Sequence, residues 1–341
     1  MRSRRFEPSS GRSDILERKG TILTQYQRDV FINEIRIAAA QDSSICFISA
    51  DFGAPALDAY RAELPRQFLH AGISEQGMID LAAGLALSGR KIYVYAMAPF
   101  ITLRCMEQLK CTLGIMRLPV TVLAVGVGLG YADSGPTHYT TEDLACMRVL
   151  VNAEIFSPAD VEATRAIARY TLQQPAFRVV RLDRHPLQEI YDAGIATIIP
   201  AGFCRFGEGA RVCIASCGYL LHRALQVQER LVAERIKVDV VDVFRNKPLG
   251  ASLAEALSTY KAVVTVEEQC LAGGFGSAVL ELMAEHEWTG RVIRLGLPER
   301  NFFENGGRDF LLEAFGLGEK AIAATVRKAA QSSAGLAAAR A

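Results

Sequence analysis

The sequence predicts an α/β protein of two three-layer α/β/α domains, each a mainly parallel sheet covered by helices on both faces. Three observations carry this expectation. Short runs rich in β-branched and aromatic residues, among them SICFISA, PVTVLAV and RVCIASC, are apolar along most of their length instead of alternating, as strands buried on both faces must be. Segments with apolar residues at helical spacing separate them, and that alternation builds parallel sheets with helices on each side. The chain has 341 residues, half of them apolar, enough for two cores, and a stretch of Pro, Gly and mixed polar residues divides it. The expected organisation is a disordered arm over 1–23, a first domain over 24–188, a linker over 189–210, a second domain over 211–330 and a flexible tail over 331–341.

The elements follow in order. The start, MRSRRFEPSSGRSD, is basic and Ser-rich with no apolar stretch behind it, so it reads as an arm and not as a secretory signal. Thr24 to Gln41 has apolar residues at helical spacing, with Arg28 in its first turns. Ser44 to Ala50 reads as a buried strand, which places Asp51 at a C-terminal strand end, where parallel sheets present ligand sites. An acid there is either a site residue or a loop cap.

The central stretch is His70 to Gly89, HAGISEQGMIDLAAGLALSG, after the apolar run Gln67 to Leu69. Apolar residues at Met78, Leu81, Ala82, Leu85 and Ala86 give one helical stripe; Ser74 can cap its start and Gly89 can end it in the left-handed conformation. Glu75 sits in the first turn, where the helix dipole favours a carboxylate, so the simplest reading is a charge that complements the helix start. Lys91 to Met97 is a strand that delivers Pro99 and Phe100, Phe100 to Met116 is expected to continue as one helix, and Pro119 to Val125 is the next central strand. The Gly-rich loop Gly126 to Tyr139 fits neither GxGxxG nor GxxxxGK[ST], so a phosphate-cradle reading is weak.

Ser157, Pro158 and Asp160 start a further helix. The strand Phe177 to Leu182 ends in RLDRHPL, where Arg181 and Arg184 are either bidentate phosphate ligands or solvated charges and His185 is structural. Beyond the linker, RVCIASC, a helix over Leu220 to Glu234, IKVDVVDV, a helix after Pro248, AVVTVEE, a helix after Gly274 and RVIRLGL alternate. LAGGFGSAV lacks the spacing of a dinucleotide fingerprint and reads as close helix packing.

Composition excludes several classes. The 38 basic and 37 acidic residues are interleaved, with net charge +1, which argues against an extended nucleic-acid surface. No apolar run approaches the roughly eighteen residues that cross a bilayer. The eight cysteines form no CxxC pair and lie mostly in apolar runs, so they read as reduced core residues of a cytoplasmic protein without a metal site.

The stretch GISEQGM, then APF at Ala98 to Phe100, then SGPTH at Ser134 to His138 followed by EDLACMR, resembles the pyrimidine-binding half of the transketolase family of thiamine diphosphate enzymes. NKPLG, LAGGFGSAV and the LPERNFFENG region resemble that family's C-terminal domain, whose role is mainly assembly. The resemblance runs from about Gln25 to about Ala330. It implies a thiamin diphosphate-binding fold followed by a transketolase C-terminal domain-like parallel sheet. It also implies that Glu75 hydrogen bonds N1′ of the cofactor's aminopyrimidine, that Phe100 stacks on the ring, that Asp51 lies close to the cofactor and that His138 serves the substrate carbonyl oxygen. The twenty-five residues from Glu75 to Phe100 match the spacing in 1-deoxyxylulose-5-phosphate synthases, a branch of the same superfamily. Candidate substrate residues are Arg28, His70, Asp133, Ser134, Arg181 and Arg184.

The family anchors the cofactor's diphosphate and Mg2+ through a GDG motif, and no GDG occurs in this sequence. The resemblance therefore implies a partner, an N-terminal transketolase subunit carrying the diphosphate-binding domain, in an α2β2 heterotetramer whose site lies where the two chains meet. The implied activity is transfer of a two-carbon ketol unit from a ketose to an aldehyde. The alternatives are a 2-oxo acid decarboxylating enzyme, as a dehydrogenase β subunit or a 1-deoxyxylulose-5-phosphate synthase-like chain, and a non-enzymatic assembly subunit, against which the intact Glu75, Phe100 and His138 set argues. Gly126 stands where family members place a sugar phosphate-binding His, Pro55 where they have Ser, and Ser134 where many have Asp, with Asp133 one position earlier. These departures point to an unusual donor or acceptor.

Overall fold

The computed structural model describes residues 25–50 and 53–338. The first domain contains β1 (Ile45–Ser49), β2 (Phe68–His70), β3 (Lys91–Met97), β4 (Val120–Val125), β5 (Glu154–Phe156) and β6 (Arg178–Leu182). Its helices are α1 (Gln27–Ala39), α2 (Pro55–Glu63), α3 (Glu75–Leu87), α4 (Ala98–Ile101), α5 (Asp143–Met147) and α6 (Val161–Gln173). The rest of the chain supplies β7 (Cys204–Phe206), β8 (Val212–Ser216), β9 (Asp239–Asp242), β10 (Arg245–Lys247), β11 (Ala262–Cys270) and β12 (Arg291–Leu297). It also supplies α7 (Tyr219–Ala233), α8 (Ala251–Ser258), α9 (Phe275–Glu285), α10 (Gly307–Ala314) and α11 (Glu319–Ala338).

Both sheets are α/β as the sequence predicts. The first runs β10-β5-β6-β4-β3-β1-β2 and the second β12-β11-β8-β9-β7. Their pairs are parallel except β10 with β5 and β7 with β9. The apolar runs are continuous because both faces are covered. Phe31, Ile35, Leu57 and Ile167 of α1, α2 and α6 pack on Phe47, Tyr93 and Leu123. On the other face, Met78, Ala82, Leu109 and Leu113 pack on Ile48, Val94 and Val122. Each such side chain contributes about 1.5–3 kcal/mol.

Parallel pairing has one consequence for function. The C-terminal ends of β2, β1, β3, β4 and β6, which neighbour one another in that order, open on the same edge of the sheet. Glu75, Phe100, His138 and Arg184, which follow β2, β3, β4 and β6, therefore emerge on that edge, the usual ligand side of a doubly wound sheet.

Several expectations are corrected. The single helix expected over Phe100 to Met116 is broken into α4, a 3-10 turn at Leu103–Cys105, a short helix at Met106–Gln108 and a π-helix at Leu109–Gly114. The cause lies at Thr102, whose hydroxyl donates back to the Ala98 carbonyl and whose φ of −97° and ψ of −82° leave the helical region. Ser74 occupies the N-cap position of α3, yet its hydroxyl donates to the Ala71 carbonyl (2.7 Å) and caps nothing, while Gly89 does take the left-handed conformation at φ 87°. The segment expected as a linker carries β7 and buries Tyr191, Ile195, Ile199 and Cys204, because it lies along both cores. Helix α11 runs to Ala338, through most of the segment expected as a flexible tail. No helix among the described residues is long and apolar enough to cross a membrane.

Candidate active site

The site begins with a carboxylate in an unusual place. Glu75 opens α3 with its neighbours Ser74, Gln76 and Gly77 exposed, while its own side chain is 5 % exposed. The positive end of the helix favours its charge, and Arg104 Nη1 donates to Oε2 at 2.9 Å. Arg104 reaches it because the Thr102 break turns the chain so that Leu103–Cys105 faces the start of α3, where the Arg104 carbonyl accepts from Gln76 Nε2 at 3.3 Å. The same guanidinium lies 4.3 Å above the Phe100 ring. Cys105, alongside, is no nucleophile: burial, with the Glu75 charge adding, pushes its thiol up to about 12.

Phe100 meets His138 edge to face, with ring centroids 5.5 Å apart at 72°. β3 and β4 are adjacent, so the segments that leave them meet above the sheet. Around His138 the loop is fixed by a turn in which its amide donates to the Gly135 carbonyl (3.0 Å) with Gly135 at φ 81°, and its Nδ1 lies 2.9 Å from the Thr137 hydroxyl. Tyr131 lies 6.2 Å from the His138 ring, and Arg184 stacks on Tyr131 at 4.3 Å and pairs with Asp133. That hydrogen bond from Arg184 holds the Asp133 carboxyl below the usual carboxylate range. Ser134 donates to Asp133 at 3.1 Å. Glu75, Arg104, Phe100, His138, Tyr131, Arg184 and Asp133 thus form one unbroken series of contacts. Asp133 and Ser134 also line a cleft of about 260 Å³ with Tyr139, Phe303 and Glu304.

The remaining candidates are placed differently. Arg181, at 5 % exposure, holds Asp143 bidentately, Nε to Oδ2 at 2.7 Å and Nη2 to Oδ1 at 3.0 Å, and gives Nη1 to the Ser157 hydroxyl at 2.8 Å. His70 is exposed at the end of β2, with Nδ1 3.1 Å from the Ser49 carbonyl, and Arg28 lies over Tyr26 (4.9 Å) and beside Asp29 (3.8 Å). Asp51 lies outside the described residues.

The Gly-rich loop proves to be a packing device. A Cβ on Gly126, at φ 85°, would come 1.9 Å from Tyr131 Cε2, so the Tyr131 ring fills the space that a side chain there would need. At Gly128 a Cβ would come 2.2 Å from Glu268 Oε2. Glu268 accepts from the Leu129 amide (3.2 Å) and from Arg308 Nε (2.8 Å) and Nη2 (2.7 Å), and Arg308 Nη1 donates to Asp183 Oδ2 at 2.7 Å. This buried cluster ties the second domain to the end of β6 and to the root of the His138 loop.

Sequence reasoning missed Arg104, Tyr131, Glu268 and Arg308. Arg104 reaches the site only because of the Thr102 break, which the sequence reading did not foresee. No group of three or more His, Cys, Asp or Glu side chains that could hold a metal ion exists among the described residues.

The chain matches the transketolase pyrimidine-binding domain over residues 26–189 and the transketolase C-terminal domain over 205–322. It is 28 % identical to one subunit of the apulose-4-phosphate transketolase of Phocaeicola vulgatus, across 87 % of this chain and 95 % of that protein. It is 34 % identical to the 1-deoxy-D-xylulose-5-phosphate synthase of Symbiobacterium thermophilum across 86 % of this chain, spanning 45 % of that enzyme. A split gene transketolase, solved as an inactive beta4 tetramer, superposes with a TM-score of 0.79 at 30 % identity, over 90 % of this chain and 98 % of that one. The chain belongs to the transketolase family, as a pyrimidine-binding domain followed by a C-terminal domain.

Proposed function

We propose that this chain is the C-terminal subunit of a heteromeric transketolase-like transferase that moves a two-carbon ketol unit from a ketose to an aldehyde. The observation that carries the reading is the joined set of Glu75, Phe100 and His138 above the C-terminal strand ends. Arg104 supplies a fit test: a flat, hydrogen-bond-donating group is already accommodated against the Phe100 face with its N–H on Glu75. An aminopyrimidine is similarly flat and, once protonated at N1′, would likewise offer an N–H to the Glu75 carboxylate, so these residues fit thiamine diphosphate. When bound, the cofactor supplies an acidic thiazolium carbon and an electron sink.

The residues of this chain then have separable tasks. Glu75 would hold a proton at the pyrimidine nitrogen, Phe100 would fix the ring plane, and His138 would exchange a proton with, or donate a hydrogen bond to, the substrate carbonyl oxygen. Arg184, held by Asp133 beside Tyr131, is the proposed substrate-binding cation, with Asp133 and Ser134 on the neighbouring cleft, Arg28 and His70 as further substrate candidates and Asp51 as a cofactor candidate. The diphosphate and Mg2+ are assigned to a partner subunit bearing a GDG motif, in an α2β2 assembly. The name of the Phocaeicola vulgatus relative and the solved split gene transketolase support a partner-dependent enzyme.

Calorimetric titration of thiamine diphosphate with magnesium into this chain, into a GDG-bearing chain encoded beside it and into their mixture tests the reading. Binding in the mixture alone is expected. Equally tight binding by this chain by itself would remove the shared site. A second reading, decarboxylation of a 2-oxo acid, is favoured by the 34 % identity to a 1-deoxy-D-xylulose-5-phosphate synthase. Carbon dioxide release from pyruvate by the mixture, without transfer between a ketose and an aldehyde, would establish it instead.

Arg184→Met separates recognition from folding. Its pair with Asp133 is solvent-exposed, so stability is expected to change by less than about 1 kcal/mol. The KM for an anionic substrate is expected to rise about tenfold or more at little change in kcat, since a charged hydrogen bond to substrate contributes about 1.5–3 kcal/mol. Steady-state kinetics on the assembled enzyme would show it, and an unchanged KM would clear Arg184 of that role.

A further inference from the structure

The Arg104 guanidinium makes, at one time, both contacts assigned to the cofactor's ring. It is planar, it lies 4.3 Å above the Phe100 ring, and it donates to Glu75 Oε2 at 2.9 Å. Two flat groups cannot share one aromatic face and one carboxylate oxygen. The two sides of the pair are also unequally held. Glu75 is 5 % exposed on the first turn of a regular helix, whereas the Arg104 side chain is 44 % exposed on a short 3-10 turn and has a long, rotatable stem. If one partner moves, it is Arg104.

We infer that Arg104 is an internal placeholder for the aminopyrimidine: it keeps the buried Glu75 charge paired and Phe100 covered, and it swings out to solvent when the ring enters. This inference rests on the reading of the site given above. It makes cofactor binding a competition against a side chain of the same protein. Affinity is therefore set below what Glu75 and Phe100 could provide, and the site is protected from other flat cations.

The sign of the effect distinguishes this from ordinary attraction. Thiamine diphosphate carries an anionic tail, so an arginine that merely draws it in would weaken binding when removed. A placeholder does the opposite, because Glu75 loses its standing partner and the ring meets no competitor. The experiment is calorimetric titration of thiamine diphosphate with magnesium into the full chain assembled with its GDG-bearing partner, comparing wild type, Arg104→Ala and Arg104→Gln. Displacing a half-exposed ion pair and a cation–π contact corresponds to about a three- to tenfold change, so Arg104→Ala is expected to bind that much more tightly. Arg104→Gln removes the charge with less loss of packing and is expected to shift the same way, so it carries the test if Arg104→Ala does not fold by circular dichroism. Wild type binding with variants equal or weaker overturns the placeholder and leaves the site reading standing. Absence of binding by wild type and variants alike overturns both.

Discussion

Glu75→Gln is expected to lower turnover of the assembled enzyme by about 10²–10⁴-fold while leaving the fold and the subunit assembly intact. The two halves of this result have separate causes. Structurally the change is mild, because Gln has the shape of Glu and its amide oxygen can still accept from Arg104. What is lost is the ionic part of a pair with a 44 % exposed guanidinium, which contributes less than about 1 kcal/mol to stability. Chemically the change is severe, because an amide cannot take and return a proton. Single-turnover and steady-state rates on the reconstituted complex, beside thermal melts of wild type and variant, would measure both halves. Activity near that of wild type would remove Glu75 from the mechanism, whatever the melts show.

Arg308→Met is expected to be the most damaging change to stability, at about 3–5 kcal/mol. Arg308 is 9 % exposed and serves two carboxylates that are themselves buried, Glu268 at 8 % and Asp183 at 2 %. Burial alone would lower its pKa, but the Asp183 and Glu268 charges outweigh that and raise it, so the guanidinium stays charged. Removing it leaves two carboxylates close together without a counter-ion, and replacing all three charged groups by neutral ones is far less costly than removing the cation alone. Chemical denaturation should show the loss, and Asp183→Asn with Glu268→Gln in the Arg308→Met background should recover most of it. A loss under about 1 kcal/mol would mean that solvent reaches the cluster. Protease sensitivity of the 126–139 loop is expected to rise as well, since Glu268 also holds the Leu129 amide.

Much of the fold was legible because it is encoded locally. β3 falls on the residues that its apolar run marks, since a strand covered on both faces must be apolar along most of its length. The three-residue β5 and the helix α2 carried no such mark and were missed, and Thr102 broke a helix whose apolar spacing gave no warning. The convergence of Glu75, Phe100 and His138 was readable in part, because each follows a strand and parallel strands deliver such residues to one edge. The assignment of their roles came from motif resemblance and awaits the experiments above.

By itself, then, the sequence determined the α/β class and the strand ends after which Glu75, Phe100 and His138 stand. Only the tertiary structure decided the fate of the charges. Arg181 and Arg184 are three residues apart at the same strand end, yet one is locked onto Asp143, 38 positions away in the chain, and the other lies over Tyr131 and pairs with Asp133. Arg104 finds Glu75 across 29 positions and Arg308 finds Asp183 across 125. An arginine's role depends on which carboxylate it meets and how much water remains between them, and both are fixed by packing between segments distant in sequence.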